Sequence, residues 1–313
     1  MHWKIKSFIL KTIALLPSDI SYEVHYQFQR KCGNLKFFNP SYGLETAKQT
    51  WLHLIKCGYS PANKVFFEVG TGRVPTMPIA YWLMGANFTH TFDINPYLKE
   101  ELLIDCVHYI AREKSHILDI FGLLLNQKRL DELIRLAKSK NINKAEIFNL
   151  CQINYIAPGN AAETGLSNDS VDFHTSCSVF EHIQPPVLKK IINEGNRILS
   201  EEGLFVHLID YSDHFSHSDK NISRINFLQY NETQWNKLAG NRYAYVNRLR
   251  HDDFLNLFES AGHEIISSTT PIDERSKLQI DTGALRLDQR FENKPTEILS
   301  IPFSWIISRP ANA

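Results

Sequence analysis

The chain has 313 residues, 43% hydrophobic and 22% charged, an ordinary globular composition long enough for one large domain with additions. Lys+Arg and Asp+Glu both number 34, and the nearest thing to a basic patch is the short run Arg135 to Lys144. A nucleic-acid partner is therefore not expected. Cys32, Cys57, Cys106, Cys151 and Cys177 form no CxxC pair, which fits reduced thiols in a cytoplasmic protein better than a disulfide framework.

Met1 to Leu16 is basic and then apolar, like a weak signal peptide. Lys11 interrupts the apolar run and no A-x-A-like site follows, so a helix is expected, with Trp3, Ile5, Phe8, Ile9, Ile13 and Leu16 as its apolar stripe. No stretch is long enough for stable membrane insertion. Residues 1–62 are expected as an N-terminal helical cap that ends at the Ser60-Pro61 turn signal. Lys64 to Val69 is a short apolar run leading into glycines, a buried strand followed by a tight turn. Phe88 to Ile94 alternates and stops at Asn95-Pro96, a second strand. A helical insertion over about 98–141 follows, then strands at Ile153 to Ala157 and Val171 to Ser176. A helix from Pro186 to Leu199 closes at Ser200-Glu-Glu-Gly203, and Leu204 to Ile209 is the next strand. A second insertion covers about 215–249; a helix over 251–261 and strands at Glu264 to Thr270 and Phe303 to Ser308 complete the chain.

Strands alternating with helices predict, over 63–313, an α/β fold with a seven-stranded, mostly parallel sheet and helices on both faces. Ligands in such sheets bind at the carboxyl ends of the strands. There the first strand and turn read Glu68-Val69-Gly70-Thr71-Gly72, and Asp93 ends the second strand, about twenty residues on. Glycines 70 and 72 let a ligand approach the backbone closely, and a carboxylate at 93 suits a ribose diol. Pro75 stands where a pyrophosphate-binding G-x-G-x-x-G needs its third glycine, and Glu68 would repel a pyrophosphate but suit a cationic ligand.

With those residues in place, Glu68-Val-Gly-Thr-Gly72 and Phe92-Asp93-Ile94-Asn95 resemble the first two motifs of class I (Rossmann-like) methyltransferases that use S-adenosylmethionine (SAM). Gly159-Asn160-Ala161-Ala162-Glu163, Asn168 to Phe173, Ser178-Val-Phe-Glu181-His182-Ile183 and Arg197 to Phe205 are similar to later segments, in family order. One departure is Asn160, where the family usually carries Asp. The resemblance implies SAM as cofactor. It places Glu68, Gly70, Thr71, Gly72, Asp93, Ile94, Asn95, Asn160, Ala161 and Ser176 around it, with Asp93 on the ribose, Ile94 flanking the adenine, and Asn160 and Ala161 at its edge.

Methyl transfer is an in-line displacement, and an oxygen or nitrogen acceptor of high pKa needs a base. The segment His207 to His217 is crowded with suitable groups: His214 is the expected base, with Asp210 or Asp213 orienting it. His182, Tyr211, His217, Tyr243 and Arg248 are expected to line the acceptor site, aromatics beside arginines being able to clamp a planar or acidic small molecule. No metal is expected, because the Asp and His residues lie on a loop without diagnostic spacing. A homodimer is compatible with the sequence. The rivals are a nicotinamide-dependent oxidoreductase or epimerase, for which no convincing Tyr-x-x-x-Lys is present, and a non-catalytic SAM-fold binding protein.

Overall fold

Helices α1 (Trp3–Ala14), α2 (Ser18–Cys32) and α3 (Ser41–Lys56) precede strand β1 (Val65–Val69) in the computed structural model, which describes residues 1–33 and 35–311. Then come α4 (Thr76–Leu83), β2 (Phe88–Phe92), α5 (Glu100–Arg112), α6 (Lys114–Phe121), α7 (Gln127–Ala137), α8 (Lys144–Cys151), β3 (Ile153–Ile156) and β4 (Val171–Cys177). The remainder is α9 (Pro185–Ile198), β5 (Leu199–Asp210), α10 (Glu232–Ala239), α11 (His251–Ser260), β6 (His263–Thr269), α12 (Glu274–Asp281), α13 (Thr296–Leu299) and β7 (Phe303–Pro310). The strands form a seven-stranded sheet in the order β3-β2-β1-β4-β5-β7-β6. β1 runs parallel to β2 and β4, and β2 parallel to β3. The order reverses between β1 and β4, the switch point beside which α/β sheets bind ligands. The expected α/β architecture is thus present.

The chain forms two compact units. The first gathers Met1–Lys36, Ser178–Leu188 and Leu208–Ile306; the second gathers Phe37–Cys177, Lys189–His207 and the chain from Ile307 onward. The stretch expected as one cap over 1–62 is therefore divided: α1 and α2 belong to the first unit and α3 to the second. Trp51 of α3 is the reason, stacking on Phe66 of β1 with ring centroids 5.8 Å apart.

In the second unit β1 is buried from Phe66 to Val69, and Phe66 also stacks on Tyr81 of α4 at 4.3 Å. Helix α4 has no counterpart among the expected elements. It is apolar all round and buried from Met77 to Leu83, so it lacks the two-faced periodicity by which a surface helix is read. The 98–141 insertion is α5 to α7, and α5 buries Leu102, Leu103, Cys106, Val107 and Ile110 on one face. Strand β5 begins at Leu199, earlier than expected, and absorbs the turn anticipated at 200–203. There Gly203 lies so near β4 that a Cβ would stand 2.8 Å from the Asp172 carbonyl oxygen.

In the first unit α1 buries Trp3, Ser7, Leu10 and Ile13 and leaves Ile5 and Phe8 exposed, a face rotated from the stripe read off the sequence. Trp3 and Leu10 join Phe215, Phe227, Leu228, Trp235 and Phe291 in one core cluster. The aromatics of the second insertion are thus mostly packing. No helix among the described residues is long and apolar enough to cross a membrane, and none of the five cysteines is bridged.

Candidate functional site

The second unit carries the residues expected around a cofactor. Gly70 and Gly72 both have positive φ (86° and 66°), and a Cβ on Gly72 would point into open space. The turn is thus demanded by backbone conformation and presents an uncluttered surface. The Gly70 N–H donates to the Phe92 carbonyl (2.7 Å) and the Gly72 N–H to Oδ2 of Asp93 (2.8 Å), tying the glycine turn to the end of β2. The Asn95 N–H donates to Oδ1 of Asp93 (2.9 Å). Each carboxylate oxygen keeps a further lone pair, so Asp93 is held in place and can still accept two hydroxyls. Burial raises its pKa, opposed by the Asn95 and Gly72 amides. Ile94 beside it is exposed, 66% of its surface open.

The Gly159 N–H donates to the Asp93 carbonyl (2.8 Å), and Oδ1 of Asn160 accepts from the Ala162 N–H (3.0 Å). A Cβ on Gly159 would stand 2.6 Å from the Ile156 carbonyl oxygen, so this loop passes β3 at a distance only glycine permits. Ala161 is buried beside it.

Glu68 is buried, and Oε2 accepts from the Thr91 hydroxyl (2.5 Å), which in turn meets Thr71 Oγ1 (2.6 Å). Burial pushes its pKa up to about 8, with the charge of Asp93 adding to the rise and Thr91 opposing it. Without a cation beside it burial favours the neutral acid, which weakens the argument from repulsion of a pyrophosphate. Ser176 is reassigned: its hydroxyl meets Nδ1 of His207 (2.7 Å), and Nε2 of His207 lies 3.3 Å from Nδ1 of His174. It belongs to a buried polar chain across β4 and β5.

The first unit brings together Asp210, His214, His217 and His182, and adds Glu181. Oδ1 of Asp210 accepts from the Ser212 N–H (2.8 Å) and hydroxyl (2.6 Å). Its Oδ2 lies 3.5 Å from Nε2 of His214 and 3.7 Å from Nε2 of His217, ion-pair distances outside hydrogen-bond geometry. Burial would raise Asp210, but contact with His214 and the Ser212 donors holds it down at about 2. Burial opposes charge on His214, yet Asp210, Glu181 and Asp213 raise its pKa above the usual imidazole range. Crowding and the His214 charge lower that of His182, although His182 keeps an exposed edge.

Glu181 sits in the short turn Phe180–His182. It is 3% exposed and neither carboxylate oxygen meets a partner in full hydrogen-bond geometry, the amides of Glu181 itself and Asp210 being the donors nearby. Burial pushes it up to about 8, the Asp210 charge adding to the rise and His214 and the amides of Glu181 and Asp210 opposing it. Asn247 fixes this turn: its N–H donates to the Glu181 carbonyl (2.8 Å) and its amide to the carbonyls of Phe180 (2.8 Å) and Ile183 (2.9 Å). Ligand-type atoms of Glu181, His182 and His214 all lie within 4.8 Å of one another. Sequence reading missed Glu181 and Asn247 as site residues. Glu181 lies 33 positions from His214, and nothing in its neighbours announces burial.

Other expected residues lie outside this cluster. Asp213 accepts from the Phe215 N–H (2.9 Å) and from the Asn226 amide (2.8 Å); it caps the turn that begins at His214 and does not orient the ring. Tyr211 is buried with its hydroxyl 2.6 Å from that of Ser304. Tyr243 stacks on His25 (4.0 Å) and meets the Ser21 hydroxyl (2.6 Å). Arg248 donates to the carbonyls of Phe227 (3.0 Å) and Tyr230 (2.6 Å) and pairs with Glu232 (2.7 Å). These last three hold the unit together instead of lining an acceptor site.

No protein-family model matches the chain, and no curated protein matches it. Among solved structures it is similar to a candidate sarcosine dimethylglycine methyltransferase from Galdieria sulphuraria, at 13% identity and a TM-score of 0.46, with 86% of each chain covered. It is similar to a SAM-dependent methyltransferase from Methanosarcina mazei at 13% identity and a TM-score of 0.43, covering 83% of this chain and 98% of that one. It is also similar to the [4+2]-cyclase SpnF at 10% identity and a TM-score of 0.44, covering 85% and 82%. These likenesses assign no residue role, and one fold hosts many chemistries.

Proposed function

We propose that the chain is a SAM-dependent methyltransferase acting in the cytoplasm on an oxygen or nitrogen atom of a small molecule. The observation that carries this reading is Asp93, fixed by the Gly72 and Asn95 amides at the end of β2 with lone pairs to spare for a ribose diol. Gly70 and Gly72 offer an open turn for the amino-acid part of SAM, Ile94 an exposed apolar face for the adenine, and the Asn160–Ala161 loop its edge. These residues fit the cofactor. When bound it supplies a methyl group on a sulfonium: a bond forms from the acceptor to the methyl carbon, and the electron pair of the broken C–S bond stays on sulfur.

Pro75 in place of a third glycine still speaks against a nicotinamide cofactor. Acceptor activation is assigned to His214 held by Asp210, without Asp213. Neutral net charge favours a small acceptor over nucleic acid. Calorimetry with SAM and with S-adenosylhomocysteine tests the reading. Both are expected to bind, and Asp93→Ala to weaken them tenfold or more, about 1.4 kcal/mol. Absence of binding to either ligand overturns the proposal.

A further inference from the structure

We propose that Glu181, His182 and His214 form a binding site for a divalent transition-metal cation, with two imidazoles and one carboxylate as its ligands. Buried carboxyl groups, charged or neutral, are normally paired or hydrogen-bonded, because a polar group taken out of water without a partner costs free energy. Glu181 departs from that rule: neither oxygen meets a partner in full hydrogen-bond geometry, only the amides of Glu181 itself and Asp210 lie near, and one carboxylate oxygen lies within 4.8 Å of nitrogens of two imidazoles. Nε2 of His214 is likewise buried without a hydrogen-bond partner. A dication between them would give the Glu181 carboxylate a partner and Nε2 of His214 a second one beside Asp210.

The hydrogen bonding around the cluster suits ligation. Nδ1 of His182 lies 2.8 Å from the Tyr245 carbonyl, which can only accept, so the proton sits on Nδ1. Nε2 is left with its lone pair, the arrangement by which an outer carbonyl orients a metal-binding histidine. Asp210, with Oδ2 3.5 Å from Nε2 of His214, adds negative charge at the edge. The exposed edge of His182 gives an ion a way in. Metal–ligand bonds of about 2.0–2.2 Å would set the three ligand atoms roughly 3.5 Å apart, so the cluster, spanning at most 4.8 Å, closes by about an ångström on binding. Two nitrogens and one oxygen are the donor set of zinc and related first-row cations, and three protein ligands leave coordination positions open.

Use of the cation in catalysis rests on the function proposed above; its binding does not. A bound cation would act as a Lewis acid that lowers the pKa of an acceptor hydroxyl. His214 would then activate the acceptor by holding the cation instead of by taking the proton itself, which narrows the acceptor to one that presents an oxygen.

The test is metal binding by the full chain, with neither SAM nor acceptor present. Protein stripped with a chelator is titrated with Zn2+ by calorimetry, and separately with Co2+ while visible absorption is followed. One ion per chain is expected, with Co2+ bands of a low-symmetry site, and affinity at least tenfold weaker in both His182→Ala and His214→Ala. His108→Ala, at an exposed position on α5, is expected to bind like the parent. A parent-like circular dichroism spectrum and a parent-like unfolding transition in denaturant report that each variant is folded. Should a variant fail that check, Glu181→Gln, which keeps shape and removes charge, takes its place with the same expected loss. Parent-like Zn2+ affinity in the folded variants, or no stoichiometric binding by the parent, overturns the site. Failure of SAM binding with the metal site intact would instead count against the methyltransferase reading alone.

Discussion

Glu68 illustrates how far a residue's identity is from its state. The sequence places an acid before the glycine turn and invites an electrostatic argument, yet burial favours the neutral acid, against the hydrogen bond that Thr91 donates. The linkage has a definite sign. The unfolded chain releases this proton near 4.5 while the folded one keeps it to about 8, so the group lowers stability as pH rises through that window. Each pH unit crossed costs at most about 1.4 kcal/mol. Glu181 behaves alike and shares the window. Denaturant unfolding followed from pH 5 to 8 is expected to show a flatter pH dependence in Glu68→Gln than in the parent. An unchanged slope would mean that Glu68 is ionised in the folded protein.

At the scale of elements, helix α9 is the sharpest case. Gly195 lies inside it, where alanine would ordinarily raise helix stability by about 1 kcal/mol. A Cβ there would stand 2.5 Å from Cζ of Phe205 and 2.9 Å from Cδ2 of His174, ring atoms of two buried strand residues. Overpacking of this kind costs roughly 1–3 kcal/mol, so Gly195→Ala is expected to lower the unfolding midpoint in denaturant; a rise would show that the two rings have room to move. The Phe180–His182 turn is fixed by other means. Asn247 donates to two of its carbonyls and to that of Ile183 just after it, and Glu181 and His182 owe their positions to that clamp. The helical character of 98–141 was legible from its residue types, while its division into α5, α6 and α7 was not. Helix α4, apolar all round, and the early start of β5 were not legible either, because neither carries a two-faced pattern.

Across the whole molecule, neither unit is a contiguous stretch of chain. The boundary expected at residue 62 falls inside the second unit, whereas α1 supplies Trp3 and Leu10 to a cluster built with Phe215 and Trp235, more than two hundred residues later. Deleting residues 1–36 removes these buried side chains, and loss of one large core side chain alone costs about 2–5 kcal/mol. The truncated protein is expected to bind a hydrophobic dye and to unfold without a single sharp transition. Parent-like unfolding would show that α1 and α2 contribute nothing to the first unit.

By itself the sequence determined the α/β class, the seven strands along the chain and the Gly70–Gly72 turn answered by Asp93, because these rest on local alternation, on glycine's conformational freedom and on short spacing; the order of the strands in the sheet was not read from it. Tertiary structure alone decided which polar groups meet. It separated Asp213 from His214 by using the carboxylate as a cap, and it turned Arg248, Tyr211 and Tyr243 into internal ties. It also drew Glu181 against two histidines. Burial and partnership across dozens of residues are properties of packing, and no local pattern encodes them.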